Sequence, residues 1–149
     1  MAIKPIPDGF HSVTPYLAVP GVPKLIDFLK AAFGAEEIAR QARPDGSVMH
    51  AQVRIGDSMV MMGDPQNTHA PIPAMLYVYV DDTDAVYHRA LTAGGVSVRA
   101  PADQPYGDRN AGVRDPSGNQ WWIATRKEDV SPPELKRRME AAIKQPTGG

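Results

Sequence analysis

The chain has 149 residues, 16 basic and 17 acidic side chains, and a formal net charge of −1 at pH 7, a balance that argues against non-specific nucleic-acid binding, which needs a basic face. It contains no cysteine, so disulfides, thiolate catalysis and cysteine-based metal sites are excluded. No apolar stretch approaches membrane-spanning length and the N-terminus lacks the apolar run of a signal peptide, so a cytoplasmic protein without membrane contact is expected.

The first half of the chain predicts the order β-α-β-β-β. Large aliphatic residues at alternate positions predict a strand over residues 13–19. Apolar residues at helical spacing predict a helix over residues 24–33, which ends at Gly34. The other strands of this half are predicted at residues 37–41, 47–55 and 59–62.

The second half repeats this order. A strand is predicted over residues 75–80, and an acidic segment that begins at Asp81 caps a helix over residues 85–93. The later strands are predicted at residues 96–98, 111–114 and 120–125. A shift of 61 positions (77 minus 16) matches Tyr16 with Tyr77, and the shared order of elements indicates a duplicated unit.

These elements predict an α+β fold of two tandem β-α-β-β-β modules. The predicted segments are a first module at residues 10–64, a linker at 65–73, a second module at 74–127, and a charged C-terminal helix and tail at 128–149. The last helix has few apolar residues, which is typical of a solvated or subunit-bridging helix.

Short motifs in this order carry a family likeness. They are Thr14-Pro15-Tyr16-Leu17, Met49-His50-Ala51, Ile55-Gly56-Asp57-Ser58, Tyr79-Val80-Asp81-Asp82, Gly107-Asp108-Arg109 and Asp115-Pro116-Ser117-Gly118 followed by Trp121. The sequence resembles the vicinal oxygen chelate superfamily, which includes glyoxalase I, extradiol dioxygenases and bleomycin-resistance proteins, and most of all its PhnB-like branch. The resemblance implies a curved eight-stranded sheet around an open cleft, usually in a homodimer.

The resemblance also implies where metal ligands would stand. In metal-dependent members, the ligands come from the first and last strands of each module and point into the cleft. The corresponding positions here are Thr14, Val60, Met75 and Trp122. These side chains do not form an ordinary divalent-metal shell, so the usual metal site is predicted to be absent and no cofactor is expected.

His50 and Gln52 are the one remaining polar pair that the pattern directs into the cleft. If Met49, Ala51 and Val53 pack against the helices, His50 and Gln52 point the other way. PhnB-like relatives often carry Glu at the Gln52 position, so this departure removes a ligand or base. A hydrogen-bonded cleft histidine is the favoured interpretation, while a divalent metal stays an open alternative.

Alternation also directs several aromatic side chains into the cleft. The complete predicted ligand-binding set is Thr14, Tyr16, His50, Gln52, Val60, Met75, Tyr77, Tyr79, Arg109 and Trp122. Such a lining suits an organic ligand, although the rings could equally fill a closed pocket. Arg109 is interpreted either as a clamp for an anionic ligand or as an ion-pair partner of Asp108 or Asp115.

Two functions follow from these residues. The first is metal-independent binding of an apolar or aromatic small molecule, as in the bleomycin-resistance type. The alternative is a lyase or isomerase in which His50 is the general base and Tyr16 or Arg109 stabilises an oxyanion, with or without a divalent metal. Glyoxalase I activity itself is disfavoured, because that reaction depends on a metal-bound enediolate.

Overall fold

A computed structural model describes residues 2–66 and 70–144. The first module contains β1 (Tyr16–Ala18), α1 (Val22–Phe33), β2 (Glu36–Ala42), β3 (Val48–Ile55) and β4 (Ser58–Gly63). The second module contains β5 (Met75–Tyr79), α2 (Thr83–Thr92), β6 (Val96–Asp103), β7 (Asp108–Arg114) and β8 (Gln120–Arg126). The chain continues into α3 (Pro132–Lys144). The predicted α+β class and the doubled β-α-β-β-β order are therefore confirmed.

The strands form two sheets of the same design. Their orders are β1-β4-β3-β2 and β5-β8-β7-β6, with the first strand of each module parallel to its last strand and the other pairs antiparallel. The resemblance implied one curved sheet of eight strands. Within the described part of one chain, the eight strands instead form two separate four-stranded sheets.

The helices join the two modules by packing on each other and on one face of each sheet. The Phe33 ring of α1 lies 5.3 Å from the ring of Trp121 in β8, centroid to centroid. A Cβ on Gly95 would stand 2.4 Å from Val113 Cγ1 and 3.1 Å from Phe28 Cε2, so α1 and the second module approach too closely there for any side chain. The largest fully buried side chains include Trp121, Phe28, Leu17, Leu25, Ile26, Leu29, Met62 and Ile123.

The predicted capping groups of the helices are present, although α1 and α2 each begin two residues earlier than the predicted positions 24 and 85. Gly34 has a φ of 66° and its N–H donates to the last turn of α1, as expected of a C-terminal glycine. The Asp82 carboxylate accepts from the N–H of Ala85 at the start of α2. The helices within residues 2–66 and 70–144 are too short or too polar to cross a membrane.

Two local predictions were wrong. The third strand of the second module was predicted to begin at residue 111, but β7 already begins at Asp108. Met49 was expected to pack inward, yet it is exposed and Val48 is buried. The pairing of β2 with β3 skips one residue of β3 at this point, and such a bulge reverses the inward and outward alternation.

A buried carboxylate organises the turn between β7 and β8. Asp115 accepts hydrogen bonds from the N–H groups of Ser117 (2.8 Å) and Asn119 (3.0 Å), from Asn119 Nδ2 (2.9 Å), and from Trp121 Nε1 (2.7 Å). Asn119 in turn accepts from the N–H of Ala74 at 3.0 Å. The turn therefore fixes both the core indole and the start of β5.

We predict that Asp115→Ala lowers the free energy of unfolding by about 3 kcal/mol, because several buried donors lose a charged acceptor. Chemical denaturation monitored by circular dichroism measures this change. Asp57→Ala, in the corresponding turn of the first module, is the matched control: Asp57 is exposed and accepts from Ser58 Oγ, so its loss should cost no more than about 0.5 kcal/mol. Equal effects of the two substitutions would contradict the role given to Asp115.

Candidate functional site

The faces of the two sheets that carry no helix are open and unusually aromatic. Tyr79 is 60% exposed and Met75 is 69% exposed, and Tyr16 and Tyr77 lie on the same kind of face. Leu17, the neighbour of Tyr16 in β1, is fully buried, and Leu76 and Val78 of β5 are partly buried against the core, as period-two alternation requires. Large apolar surfaces of this kind mark binding or association sites on soluble proteins.

On the second sheet, three residues from adjacent strands form a row across this face. Tyr77 pairs with Trp122, and Trp122 pairs with Gly112. A Cβ on Gly112 would come within 2.9 Å of the Trp122 ring, so this glycine allows the indole to lie against the sheet. The guanidinium of Arg99 is 4.7 Å from the centre of the same ring, which is a cation–π contact.

A carboxylate and three phenols form a hydrogen-bond network beside this row. Asp108 Oδ2 accepts from the hydroxyls of Tyr77 (2.7 Å) and Tyr79 (2.9 Å). Asn110 Nδ2 donates to the hydroxyls of Tyr77 (3.1 Å) and Tyr106 (2.7 Å). Asp108 and Asn110 are buried, so the network fixes the orientation of the phenols from beneath.

Burial and the Asp108 carboxylate raise the pKa values of two of these phenols, those of Tyr77 and Tyr79. Burial is the main cause that raises the pKa of Tyr77, with a smaller contribution from Asp108. For Tyr79 the hydrogen bond to Asp108 is the main cause that raises the pKa, because the carboxylate stabilises the protonated phenol as a donor.

The corresponding face of the first sheet carries a different set of groups. His50 Nε2 and Gln52 Nε2 are 3.2 Å apart, and the rings of His50 and Tyr16 are 5.8 Å apart with a tilt of 38°. Met61 pairs with both Tyr16 and Gln52. This group offers one titratable imidazole within a half-polar surface.

The structure overturns the predicted positions of Val60 and Arg109. Val60 is buried in the core opposite Val53, and Met61 takes the position on the open face that corresponds to Trp122. The turn before β8 is longer than the turn before β4. The sequence comparison of the two modules therefore matched Trp122 with Val60, one residue before its true counterpart Met61.

Arg109 was expected in the cleft, but it lies on the helix-covered side of β7. Its guanidinium binds Asp84 of α2 at 3.1 Å and Asp103 at 3.1 Å, rather than Asp108 or Asp115. Neighbouring strand residues point to opposite faces, so the placement of Asp108 on the open face excludes Arg109 from it.

The other predicted positions do not assemble a metal shell. Thr14 is half-buried just before β1, and Met75 stands opposite Gln120. Across residues 2–66 and 70–144, no group of three or more His, Asp or Glu side chains is placed to hold a metal ion. The groups on the open face of the second sheet are hydrogen-bonding side chains and aromatic rings.

Sequence reasoning missed the polar half of this site: Arg99, Tyr106, Asp108 and Asn110. These residues were missed because the sequence pattern did not indicate where β7 begins. Once that strand is known to begin at Asp108, alternation places Asp108, Asn110 and Gly112 on the same face.

A cleft of about 820 Å³ separates the outer edge of β5 from the β3–β4 turn. Its lining includes Phe33, Ile55, Tyr77, Tyr79 and Arg89. This volume lies within the range of small-molecule sites, and Tyr77 and Tyr79 contribute to its lining.

Comparison with known proteins gives this geometry a family. Residues 9–123 match the family model described as Glyoxalase/Bleomycin resistance protein/Dioxygenase superfamily. The uncharacterized protein Mb0911c of Mycobacterium bovis is 34% identical over 141 residues, which cover 87% of this chain and 93% of that protein.

Solved structures share the fold. TioX from Micromonospora sp. ML1 has a TM-score of 0.66 and 25% identity, covering 78% of this chain and 98% of its own. TnmS3, an antibiotic binding protein from Streptomyces sp. CB03234, has a TM-score of 0.63 and 26% identity, covering 85% and 99%. A PhnB protein from Bacillus cereus, named as a putative 3-demethylubiquinone-9 3-methyltransferase, has a TM-score of 0.64 and 19% identity, covering 77% and 99%.

We predict that Tyr77 and Tyr79 ionise above pH 10, the ordinary tyrosine value. Because their pKa values are raised in the folded state, the stability that they contribute is present below about pH 10 and is lost as the pH rises through the raised values. Difference titrations of phenolate absorbance, wild type against Tyr77→Phe and Tyr79→Phe, measure each midpoint.

Asp108→Asn should lower the Tyr79 midpoint more than the Tyr77 midpoint, because the carboxylate is the main cause of the shift only for Tyr79. Asp84→Asn, which alters a carboxylate on the helix side of the sheet, is the control and should change neither. A Tyr79 midpoint that is the same in Asp108→Asn and wild type would contradict the network.

Proposed function

Since this chain belongs to the Glyoxalase/Bleomycin resistance protein/Dioxygenase superfamily, we propose that it is a metal-independent binding protein for an apolar or aromatic small molecule. The observation that carries the proposal is the row that contains Tyr77 and Trp122 on an open sheet face, with Tyr79 beside it and a polar edge at Asp108. The fold alone does not decide between binding and catalysis.

The aromatic rings offer a large contact surface for an organic ligand. Each aromatic side chain can bury about 150–250 Å² and keeps a polar group for orientation. Tyr77, Tyr79 and Asn110 are held by hydrogen bonds before any ligand arrives, and a preorganised surface loses less side-chain entropy on binding. These features favour retention of a planar organic molecule.

The comparison with TnmS3 supports the same class. TnmS3 is an antibiotic binding protein, and it is 26% identical to this chain with nearly all of its length covered. Antibiotic binding is therefore the described function of one protein that shares this fold. We extend only that class of function to this chain.

A lyase or isomerase is the second candidate, and the group on the first sheet favours it. His50 lies beside Gln52 and the Tyr16 ring, and histidine is the side chain that most often acts as a general acid or base. Turnover of any substrate that is lost in His50→Ala but kept in the exposed-residue control His88→Ala would favour this candidate over binding alone.

We also propose that a second copy of this chain covers the open faces. β5 is an edge strand of its sheet, and its exposed residues Met75, Tyr77 and Tyr79 are large and apolar. Exposed edges with such side chains pair readily with another chain, and closed symmetric dimers are the commonest oligomers. A second copy would convert each open face into the wall of an enclosed cleft.

The binding proposal predicts saturable binding of 2-naphthylmethanol, measured by isothermal titration calorimetry, with one molecule per chain and no effect of added EDTA. Trp122→Ala should weaken this binding at least tenfold, which corresponds to about 1.4 kcal/mol. Ile3→Ala removes an exposed apolar side chain far from the row and should leave the affinity unchanged. Binding that requires an added divalent metal, or that survives Trp122→Ala unchanged, would count against the proposal.

The dimer proposal predicts a solution mass of twice the 16.1 kDa chain, measured by light scattering after size exclusion. Met75→Asp places a charge on the open face of β5 and should shift the protein toward monomers, because a charge buried in an interface is costly. Ile143→Asp adds the same charge at an exposed position of α3 and should not. A wild-type monomer at micromolar concentration would refute the proposed assembly.

A further inference from the structure

Asp108 has a buried carboxylate oxygen without a partner. The residue is 3% exposed, and its Oδ2 accepts from the hydroxyls of Tyr77 and Tyr79. Its Oδ1 is buried and accepts no hydrogen bond within the described chain. A buried carboxylate normally fills its acceptor positions, so this oxygen is available to a donor from outside the chain.

The carboxylate also has no ion-pair partner among residues 2–66 and 70–144. Arg126 stands opposite Asp108 in the β7–β8 pairing and interacts with it electrostatically, but its guanidinium binds Asp129 at 2.8 Å and leaves Asp108 Oδ1 without a hydrogen bond. Arg99 donates to Asn110 and covers Trp122. A buried charge is costly unless it is paired, so a cation is the donor that would stabilise this carboxylate most.

The surroundings of Asp108 suit a cationic group attached to an aromatic body. The rings of Tyr77 and Tyr79 are 5.4 Å apart, and electron-rich aromatic faces attract ammonium groups. A recess of about 300 Å³ at this end of the sheet has Asp108 and Gly107 in its lining, together with Asp103, Glu128 and one lysine, Lys127. Tyr77, whose hydroxyl donates to Asp108, pairs with Trp122 in the sheet.

We propose that Asp108 is the anchor for a protonated nitrogen of the ligand, so that the binding site selects aromatic amines over neutral or anionic aromatics. Oδ1 accepts from the ammonium N–H, while the planar body lies along Tyr77 and Trp122. Entry of the amine requires Tyr79, whose side chain is exposed, to give up its hydrogen bond to Oδ2, while Tyr77 stays bonded to Asp108 and Asn110. This inference rests on the binding function proposed above and adds the chemical class of the ligand.

The test compares three probes of equal size on the full-length protein at neutral pH: 2-naphthylmethylamine, 2-naphthylmethanol and 2-naphthoate. Calorimetry should give at least tenfold tighter binding of the amine than of the alcohol, with the carboxylate the weakest of the three. Asp108→Asn, which keeps the size of the side chain and removes its charge, should reduce the preference for the amine to less than threefold. Asp84→Asn, a carboxylate that pairs with Arg109 on the other side of the sheet, should keep the full preference.

A second variant keeps the test valid if Asp108→Asn does not fold. Tyr79→Phe retains the ring but removes one phenol donor from the carboxylate, so the preference for the amine over the alcohol should increase. A decrease in that variant would overturn the inference.

The remaining outcomes separate this inference from the proposed function. Equal affinity for the amine and the alcohol in the wild type, with both lost in Trp122→Ala, would overturn the role of Asp108 and leave the binding function standing. A preference for the amine that persists in a folded Asp108→Asn would also overturn it. Failure of all three probes to bind would overturn the inference and the proposed function together.

Discussion

The packing of α1 and α2 on the same side of their sheets is the constraint on which the rest of the molecule depends. Phe33 of the first module lies on Trp121 of the second, and Gly95 brings the second module close enough to touch Phe28. This contact buries the apolar residues of both modules in one core. It also uses only one face of each sheet, so the opposite faces stay open for other chemistry.

The open faces are shaped by residues that make room for rings. Gly112 lies under the Trp122 indole, and a Cβ on Gly63 would stand 2.7 Å from the Tyr16 hydroxyl. Glycine in a strand weakens the strand but permits this close approach. Both modules therefore place a glycine where an aromatic side chain approaches the sheet: Gly112 beneath the Trp122 ring and Gly63 beside the Tyr16 hydroxyl.

Much of the fold and part of the site could be predicted from the sequence. Alternation correctly separated the core residue Trp121 from the half-buried Trp122, and Leu17 from Tyr16. The errors arose where a single residue decides the outcome. Because the last turn of the second module has one extra residue, the sequence matched Val60 to Trp122, whereas the structure places Met61 there. A bulge at Met49 reversed the alternation in β3. The polar network was not predicted because its carboxylate belongs to the first residue of a strand, where hydrophobic periodicity gives little information.

Equivalent backbone positions in the two modules carry side chains of different chemistry. Met61 and Trp122 occupy matching positions opposite Tyr16 and Tyr77, while Gln52 matches Gly112. One open face consequently carries an imidazole and an amide, and the other carries phenols around a carboxylate. A cleft with these two faces as its walls would be asymmetric, with an electron-rich acidic side and a side that contributes a neutral donor or acceptor. Under the proposed role of Asp108, such a cleft would orient a ligand that has one basic end, because the buried carboxylate oxygen without a partner among residues 2–66 and 70–144 lies on one wall.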